Sequence, residues 1–345
     1  MKKKTSLADI AKALGVSKTL VSMVLNGKGN DNGINEDTQK KVWAKAKELN
    51  YKPNMMARSL RMGKSNTIGL IVADISNSFY ARMCRAVEDA ASKKNYYVLF
   101  GSSDENAEKE RSLIQMLRDR QVDGLIISTT LANNVDLEEL KKENFPFVLV
   151  DRYVPKSDMP FVTADNYGGS VTIVEHLIKQ GVKQIGQLTI SPSHLTSITE
   201  RTRGYQDALE KNGIDFNADL VREIPYDKIR ESIRKTVPEL VGAPHHVKGL
   251  FVVNNNLATA TLACIQDMGL RIPEDIAVVC FDDVDMFKFV NPPVTAVSQP
   301  IEQMGEEAVE ILLEMIDEKT RTPKNPQRFL QTSMVVRQSC GSGKV

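Results

Sequence analysis

Apolar positions follow two different rules along this chain. Leu7, Ile10, Ala11 and Leu14 recur at the 3.6-residue spacing of a helix. Gly15-Val16 breaks that rhythm, and Val21, Val24 and Leu25 resume it behind Ser17, a residue suited to an N-cap. The pattern predicts helix, tight glycine turn, helix. A third helix, roughly Asn35 to Leu49, is expected to close a small core with Val42, Ala46 and Leu49, with Trp43 and Tyr51 nearby. The outward face of the second helix then presents Ser17, Lys18, Thr19, Ser22, Met23 and Asn26. Short polar groups and one long cation on a helix fit phosphates and base edges. An ordinary solvated face is the plain alternative.

From about Asn66 the rule changes to short, nearly continuous apolar runs: Thr67 to Ala73, Tyr96 to Phe100, Gly124 to Ser128, Phe147 to Asp151, Gln184 to Ile190, Gly249 to Val253 and Ala277 to Phe281. Such runs suit strands buried on both faces. Helical periods lie between them, near 78–94, 106–120, 135–143, 168–180, 201–212, 228–241, 256–268 and 302–318. The alternation predicts an α/β protein of parallel sheets flanked by helices.

Charge separates the same two regions. Residues 1–65 hold 14 Lys and Arg against 5 Asp and Glu, while the other 280 residues hold 31 against 39. The overall net charge of +1 conceals a head of +9 on a body of −8. A polyanion is therefore drawn to one end, with an affinity that falls as salt rises, and DNA is the simplest candidate.

A chain of 345 residues suits two or three domains. No apolar run approaches the ~20 residues that span a bilayer, and the basic start lacks the apolar stretch of a secretory signal. The expectation is a cytoplasmic protein without membrane contact. Cys84, Cys264, Cys280 and Cys340 lack metal-ligand spacing and are expected to be reduced and mostly buried. No metal or cofactor is expected.

In open parallel sheets the ligand sits beyond the carboxyl ends of the strands. Those positions are polar here: Asp74, Ser76 and Asn77; Ser102, Ser103 and Asp104; Asp151-Arg152; Asn254-Asn255-Asn256; Asp282-Asp283. An enzyme on this frame needs a nucleophile with its base, a phosphate loop or a metal cluster, and none is visible. Gly27, Gly29 and Gly33 follow a helix rather than a strand and miss the dinucleotide spacing. Asp282-Asp283 has no second carboxylate placed for glycoside hydrolysis.

Several strings carry a family resemblance: Asp9-Ile10-Ala11 through Val21-Ser22, Leu25-Asn26-Gly27, Asn50-Tyr51-Lys52-Pro53-Asn54, Ala57-Arg58-Ser59-Leu60, Ile68-Gly69-Leu70-Ile71-Val72, Val122-Asp123-Gly124, Arg201 with Gly204-Tyr205, Phe281-Asp282-Asp283, Pro292-Pro293-Val294-Thr295 and Gln299-Pro300. In this order the chain resembles bacterial transcription regulators of the lactose/galactose repressor (LacI/GalR) type. The resemblance implies a helix-turn-helix head (1–52), a hinge helix and linker (53–65), and a two-lobed core similar to periplasmic sugar-binding proteins. One lobe is expected to take 66–161 and 298–326, the other 162–297 and 327–345, with three crossings between them. A transport-type solute-binding protein is the rival reading, disfavoured by the basic head and the missing export signal.

The resemblance assigns base reading to Lys18 and Thr19, with Ser17, Ser22 and Asn26 on phosphates and Thr5, Met23, Asn54, Ala57 and Arg58 as further DNA contacts. Lys18 suits the O6 and N7 acceptors of guanine. Two departures stand out: Met23 where the family usually has arginine, and a loop at Asn30-Asp31-Asn32-Gly33 about three residues longer than usual. Met55 to Leu60 is only about six residues, well below the ~12–15 at which an isolated helix becomes marginal in water. It is expected to order on operator DNA in a homodimer, with Leu60 as the minor-groove wedge. The tail from Gln338 to Val345 lacks apolar heptads, so no four-stranded tail bundle is expected.

For the small-molecule effector the resemblance points to Arg201, Asn254 and Asp282, joined by Asp74, Asp165 and Gln299. A planar fork of donors opposite carboxylates and amides suits vicinal hydroxyls. Phe79 and Tyr80 fit the apolar face of a sugar ring and fit a core equally well. A sugar or sugar phosphate is the leading expectation, a nucleobase the second.

Overall fold

A computed structural model describes residues 5–51, 64–317 and 323–342. It divides into two compact units, Met1–Ser65 and Asn66–Val345.

In the first unit, α1 (Leu7–Leu14) opens on a reciprocal cap between Ser6 and Asp9 and closes on Gly15 at φ 67°. That left-handed backbone costs glycine little, so the chain turns sharply into the next helix. Ser17 then caps α2 (Lys18–Leu25), its hydroxyl accepting from the Leu20 amide at 3.1 Å. α3 (Glu36–Glu48) completes the trio behind the Asn35 cap. Ile10, Ala11, Val21, Val24, Val42 and Ala46 form the buried centre, with Leu49 and Tyr51 packed on it. Trp43 differs from expectation: it is 52% exposed, one position round the helix from buried Val42. The long loop is held by Gln39, whose amide donates to Asn30 Oδ1 at 2.8 Å and to the Ile34 carbonyl at 2.7 Å.

The second unit contains two six-stranded sheets. The first has the order β11-β5-β4-β3-β1-β2 and the second β12-β10-β9-β8-β6-β7. Their strands are β1 (Thr67–Val72), β2 (Tyr97–Ser102), β3 (Gly124–Ile127), β4 (Phe147–Val150), β5 (Phe161–Ala164), β6 (Ile185–Ile190), β7 (Val221–Ile224), β8 (Gly249–Val252), β9 (Ala277–Phe281), β10 (Thr295–Ser298), β11 (Gln327–Leu330) and β12 (Ser333–Val335). Every pairing is parallel except that of β12 with β10. Strands β3, β4, β8 and β9 are buried at every residue, as the continuous apolar runs predict.

The flanking helices are α4 (Ser78–Lys93), α5 (Ala107–Asp119), α6 (Val135–Lys142), α7 (Asn166–Lys179), α8 (Thr196–Lys211), α9 (Ile229–Val241), α10 (Asn255–Asp267) and α11 (Ile301–Ile316). The chain passes between sheets after β5, after β10 and after β11. Two expected lobe boundaries shift accordingly. β5 begins at 161 and runs three residues past the expected boundary, and β11 begins at 327, yet both belong to the first sheet, paired Phe161 with Gln327 through Ala164 with Leu330. Four-residue segments such as Phe-Val-Thr-Ala and Gln-Arg-Phe-Leu do not reveal which sheet they will join, so the expected boundaries give most of the first and all of the second to the wrong lobe. β5, β7, β10, β11 and β12 are absent from the apolar runs expected as strands, and α8 starts five residues earlier than its periodicity predicts.

All four cysteines are free and buried. Among the described residues no helix is long and apolar enough to cross a membrane, and no His, Cys, Asp and Glu group is arranged to hold a metal ion.

Candidate functional site

On the head, Ser17, Lys18 and Thr19 are exposed at the start of α2, and Ser22, Met23 and Asn26 are half-buried along it. Two of these side chains already have structural duties. Ser17 caps the helix, and the Asn26 amide donates to the Ser22 carbonyl at 2.6 Å, closing the helix end. Thr5 donates its hydroxyl to the Leu49 carbonyl at 2.9 Å, tying the chain start to the end of α3. Lys18 and Thr19 lead an exposed helix N-terminus, whose unpaired amides favour anions. Asn54, Ala57, Arg58 and Leu60 lie outside the described residues.

In the core, the carboxyl ends of both sheets face one cleft. Asp74, Phe79, Tyr80, Arg201, Asn254, Asp282 and Gln299, all expected from the sequence, line it together. Asp165 does not. Its carboxylate caps α7 by accepting from the Gly168 amide at 2.8 Å, a structural duty at the crossing between lobes.

Arg201 is positioned by packing that begins with a glycine. A Cβ on Gly204 would lie 2.6 Å from the Tyr167 carbonyl, so only glycine lets α8 approach α7 this closely. One turn earlier, Arg201 Nε donates to Asn166 Oδ1 at 2.8 Å and Nη1 to the Val253 carbonyl at 2.6 Å. Its guanidinium lies 3.8 Å from the centre of the Phe281 ring. The residue is 4% exposed yet lines the cleft, a well-held cation at its wall.

Asp282 sits at φ 83°, a left-handed conformation disfavoured for a residue with Cβ and tolerated best by Asp and Asn. Its carboxylate accepts from Gln299 Nε2 at 2.6 Å. Because a carboxylate needs a donor, that contact fixes which end of the Gln299 amide faces Asp282. Gln299 Oε1 is left buried without a partner.

Sequence reasoning noted the strand-end polar positions without choosing Asn77, Asp151, Arg152 or Asn256, and missed Glu105, Ile190, Ser197, Ile198 and Tyr226 entirely. Arg152 grips Glu105 with both terminal nitrogens, at 2.8 and 2.5 Å. Burial works to lower Arg152, but the carboxylates Glu105 and Asp151 outweigh it and keep the guanidinium charged. Asp151, also at a positive φ of 68°, accepts from the Tyr80 hydroxyl at 2.9 Å. Burial pushes its carboxyl above the usual range despite the two arginines. Tyr80 is therefore the polar floor of the first lobe, while Phe79, packed edge-on against it with ring centres 4.9 Å apart, supplies apolar wall. Tyr226 follows β7, an edge strand reading Val-Arg-Glu-Ile that has no clean alternation to betray it. The cleft combines acceptors, a guanidinium edge and apolar walls, which makes it a binding site for a polar small molecule.

The lobes also touch directly. Asn255 Nδ2 donates to Asn77 Oδ1 and Ser78 Oγ, both at 3.0 Å, and the Tyr153 amide donates to Thr196 Oγ1 at 3.0 Å. These bonds span the cleft at separate points.

Residues 6–54 match the model for bacterial regulatory proteins of the lacI family, and residues 174–340 match a periplasmic binding protein-like domain. The ribose operon repressor of Halalkalibacterium halodurans is 33% identical over 99% of this chain and 98% of its own length. The transcriptional regulator CelR, solved as a cellobiose complex, aligns over 97% of this chain and 100% of its own at 27% identity and a TM-score of 0.70. The lac repressor dimer bound to operator and the anti-inducer ONPF has the same fold, with a TM-score of 0.84 over 98% of this chain and 99% of its own at 24% identity. A basic helix-turn-helix head on a cleft-bearing two-lobed core thus coincides with full-length likeness to named repressors. The chain belongs to the LacI family of DNA-binding transcriptional regulators, which are not enzymes.

Proposed function

We propose that this regulator acts in the cytoplasm as a homodimeric repressor whose grip on operator DNA is set by a sugar or sugar phosphate held between the two core lobes. One observation carries the reading: seven effector residues scattered from position 74 to 299 line a single cleft at the strand ends. A ligand that touches both lobes favours one lobe arrangement, and its differential affinity is the free energy available to shift operator binding. Lys18 and Thr19 read bases in this scheme, and the hinge segment with Leu60 orders on the DNA.

Exposed apolar side chains support a second copy as partner. Tyr97 and Leu99, two positions apart and so on one face of the edge strand β2, are 72% and 38% exposed. Two-fold symmetry would match half-sites one helical turn apart.

Footprinting on the chain's own promoter region at low ionic strength tests the reading, with sugars, sugar phosphates and nucleobases added in turn. A protected palindromic site whose occupancy changes with a sugar-class compound is expected. Absence of protection under every condition refutes it, and a response to nucleobases alone replaces the effector class.

A further inference from the structure

We infer that Met23 reads the C5-methyl group of a thymine, so that each operator half-site carries a thymine opposite the second turn of α2; this rests on the reading in which α2 faces the bases and adds a residue to it. Four of the five apolar residues of α2 have work inside the head. Val21 and Val24 are buried in its core, and Leu20 and Leu25 pack against them. Met23 does not join that cluster and lies half-buried on the outward face of the helix.

The polar residues of that face are partly committed. Ser17 caps the helix, and the Asn26 amide donates to the Ser22 carbonyl at 2.6 Å and to Ser22 Oγ at 3.3 Å. Lys18 and Thr19 are exposed in the first turn. Met23 follows Thr19 by four positions, which sets the two side chains next to each other on the helix surface. Of the second-turn residues on this face, Ser22, Met23 and the cap Asn26, Met23 has the longest side chain.

A thioether has no hydrogen to donate and accepts weakly, and the rest of the side chain is apolar. Set against the N7 of adenine or the N7 and O6 of guanine, it would cover acceptors without pairing them, and against cytosine it would strand the amino group. Thymine alone presents an apolar group in the major groove, its C5-methyl, which a methionine covers without the loss of a hydrogen bond.

Selection of operators from a random duplex pool by the full-length protein, followed by titration of the selected duplex with each thymine replaced in turn by deoxyuridine, tests this. Deoxyuridine keeps every hydrogen-bonding group of thymine and lacks only the methyl, so this arm uses the native protein and holds even where a variant folds poorly. At one position per half-site the affinity is expected to fall about fourfold, the value of burying one methyl-sized group. Met23→Ala should weaken binding of the parent duplex and erase the difference between thymine and deoxyuridine at that position, while Met23→Leu keeps most of it. Met23→Arg supplies the donors that guanine accepts and should select guanine there from a fresh pool. Deoxyuridine tolerated at every thymine overturns the inference. So does a loss that persists in Met23→Ala, which would assign the methyl to Thr19, or a Met23→Arg variant that selects the same thymine. In each case an enriched operator leaves α2 facing the bases; a pool that yields no enriched sequence overturns that reading as well.

Discussion

Asn255, the first residue of α10 in the second lobe, donates its side-chain amide to Oδ1 of Asn77, the cap of α4 in the first lobe, at 3.0 Å. The same nitrogen meets Ser78 Oγ at 3.0 Å, so one amide bridges the lobes at the edge of the cleft. Asn77 Oδ1 also accepts from the Phe79 amide at 2.9 Å, which makes the lobe contact and the helix cap share an atom.

Removing that bridge should weaken ligand binding without touching the ligand. Asn255→Ala is expected to cost about 1 kcal/mol of closure, roughly a fivefold loss of effector affinity. Small-angle scattering should find the liganded variant less compact than the native protein. Equal affinity in calorimetry would mean that the bridge does not bias the lobes.

Arg201→Ala is expected to abolish the effector response while operator binding persists. It also strands Asn166 Oδ1 and the Val253 carbonyl, so a stability loss of about 2–3 kcal/mol should accompany it. Arg201→Lys restores charge without the planar fork and should recover stability better than ligand affinity. Intact ligand affinity in either variant discards the assignment.

Lys18 is exposed at the start of α2, clear of the head's core. Its change to alanine should leave the melting temperature within about a degree and alter which operators are selected from a random pool, a good base contact being worth about 1–3 kcal/mol. An unaltered selection profile removes Lys18 from base reading.

Leu60→Ala tests the wedge assigned by resemblance. Weaker operator binding and reduced bending are expected, read from gel mobility of complexes with the site placed at different positions. Equal affinity and equal bending rule the wedge out.

The C-terminal segment is held to α7 by His176, whose Nε2 lies 3.2 Å from Cys340 Sγ and 3.0 Å from Ser342 Oγ. Burial, aided by Lys179, holds the imidazole below its ordinary value of 6.5. A depressed folded value means that the unfolded chain binds the proton first. The contribution of His176 is therefore present above 6.5 and is lost as pH falls from there towards the folded value. Thermal denaturation between about pH 7.5 and 5.5 should show this decline in the native protein, and His176→Gln should flatten it. An equal decline in both proteins would put its origin elsewhere.

Local rules were enough for much of this molecule. The Gly15 turn, the Ser17 cap and the two helical periods follow from residue chemistry within a few positions. The alternation of buried runs with amphipathic ones implies parallel sheets, and parallel sheets send their ligand to the strand ends. That is why Asp74, Asn254 and Asp282 stand among the strand-end polar positions; the family resemblance is what selects them, together with Gln299 behind the unforeseen strand β10. Resemblance added Arg201, which no local pattern singles out on α8.

Tertiary structure decided what depends on partners distant in sequence. Asp165 and Asp282 are both carboxylates after a strand, but Asp165 opens α7 directly and caps it, whereas Asp282 sits at a left-handed φ of 83° ahead of a short turn and meets the cleft. β5 and β11 join the first sheet since each completes the other's ladder across more than 160 residues. Glu105 finds Arg152 only once β2 and β4 lie in one sheet. The sequence alone determined that a basic reading head accompanies a strand-end binding cleft. The charge that cleft presents to its ligand came from folding, since long-range pairing governs which ionic groups remain free.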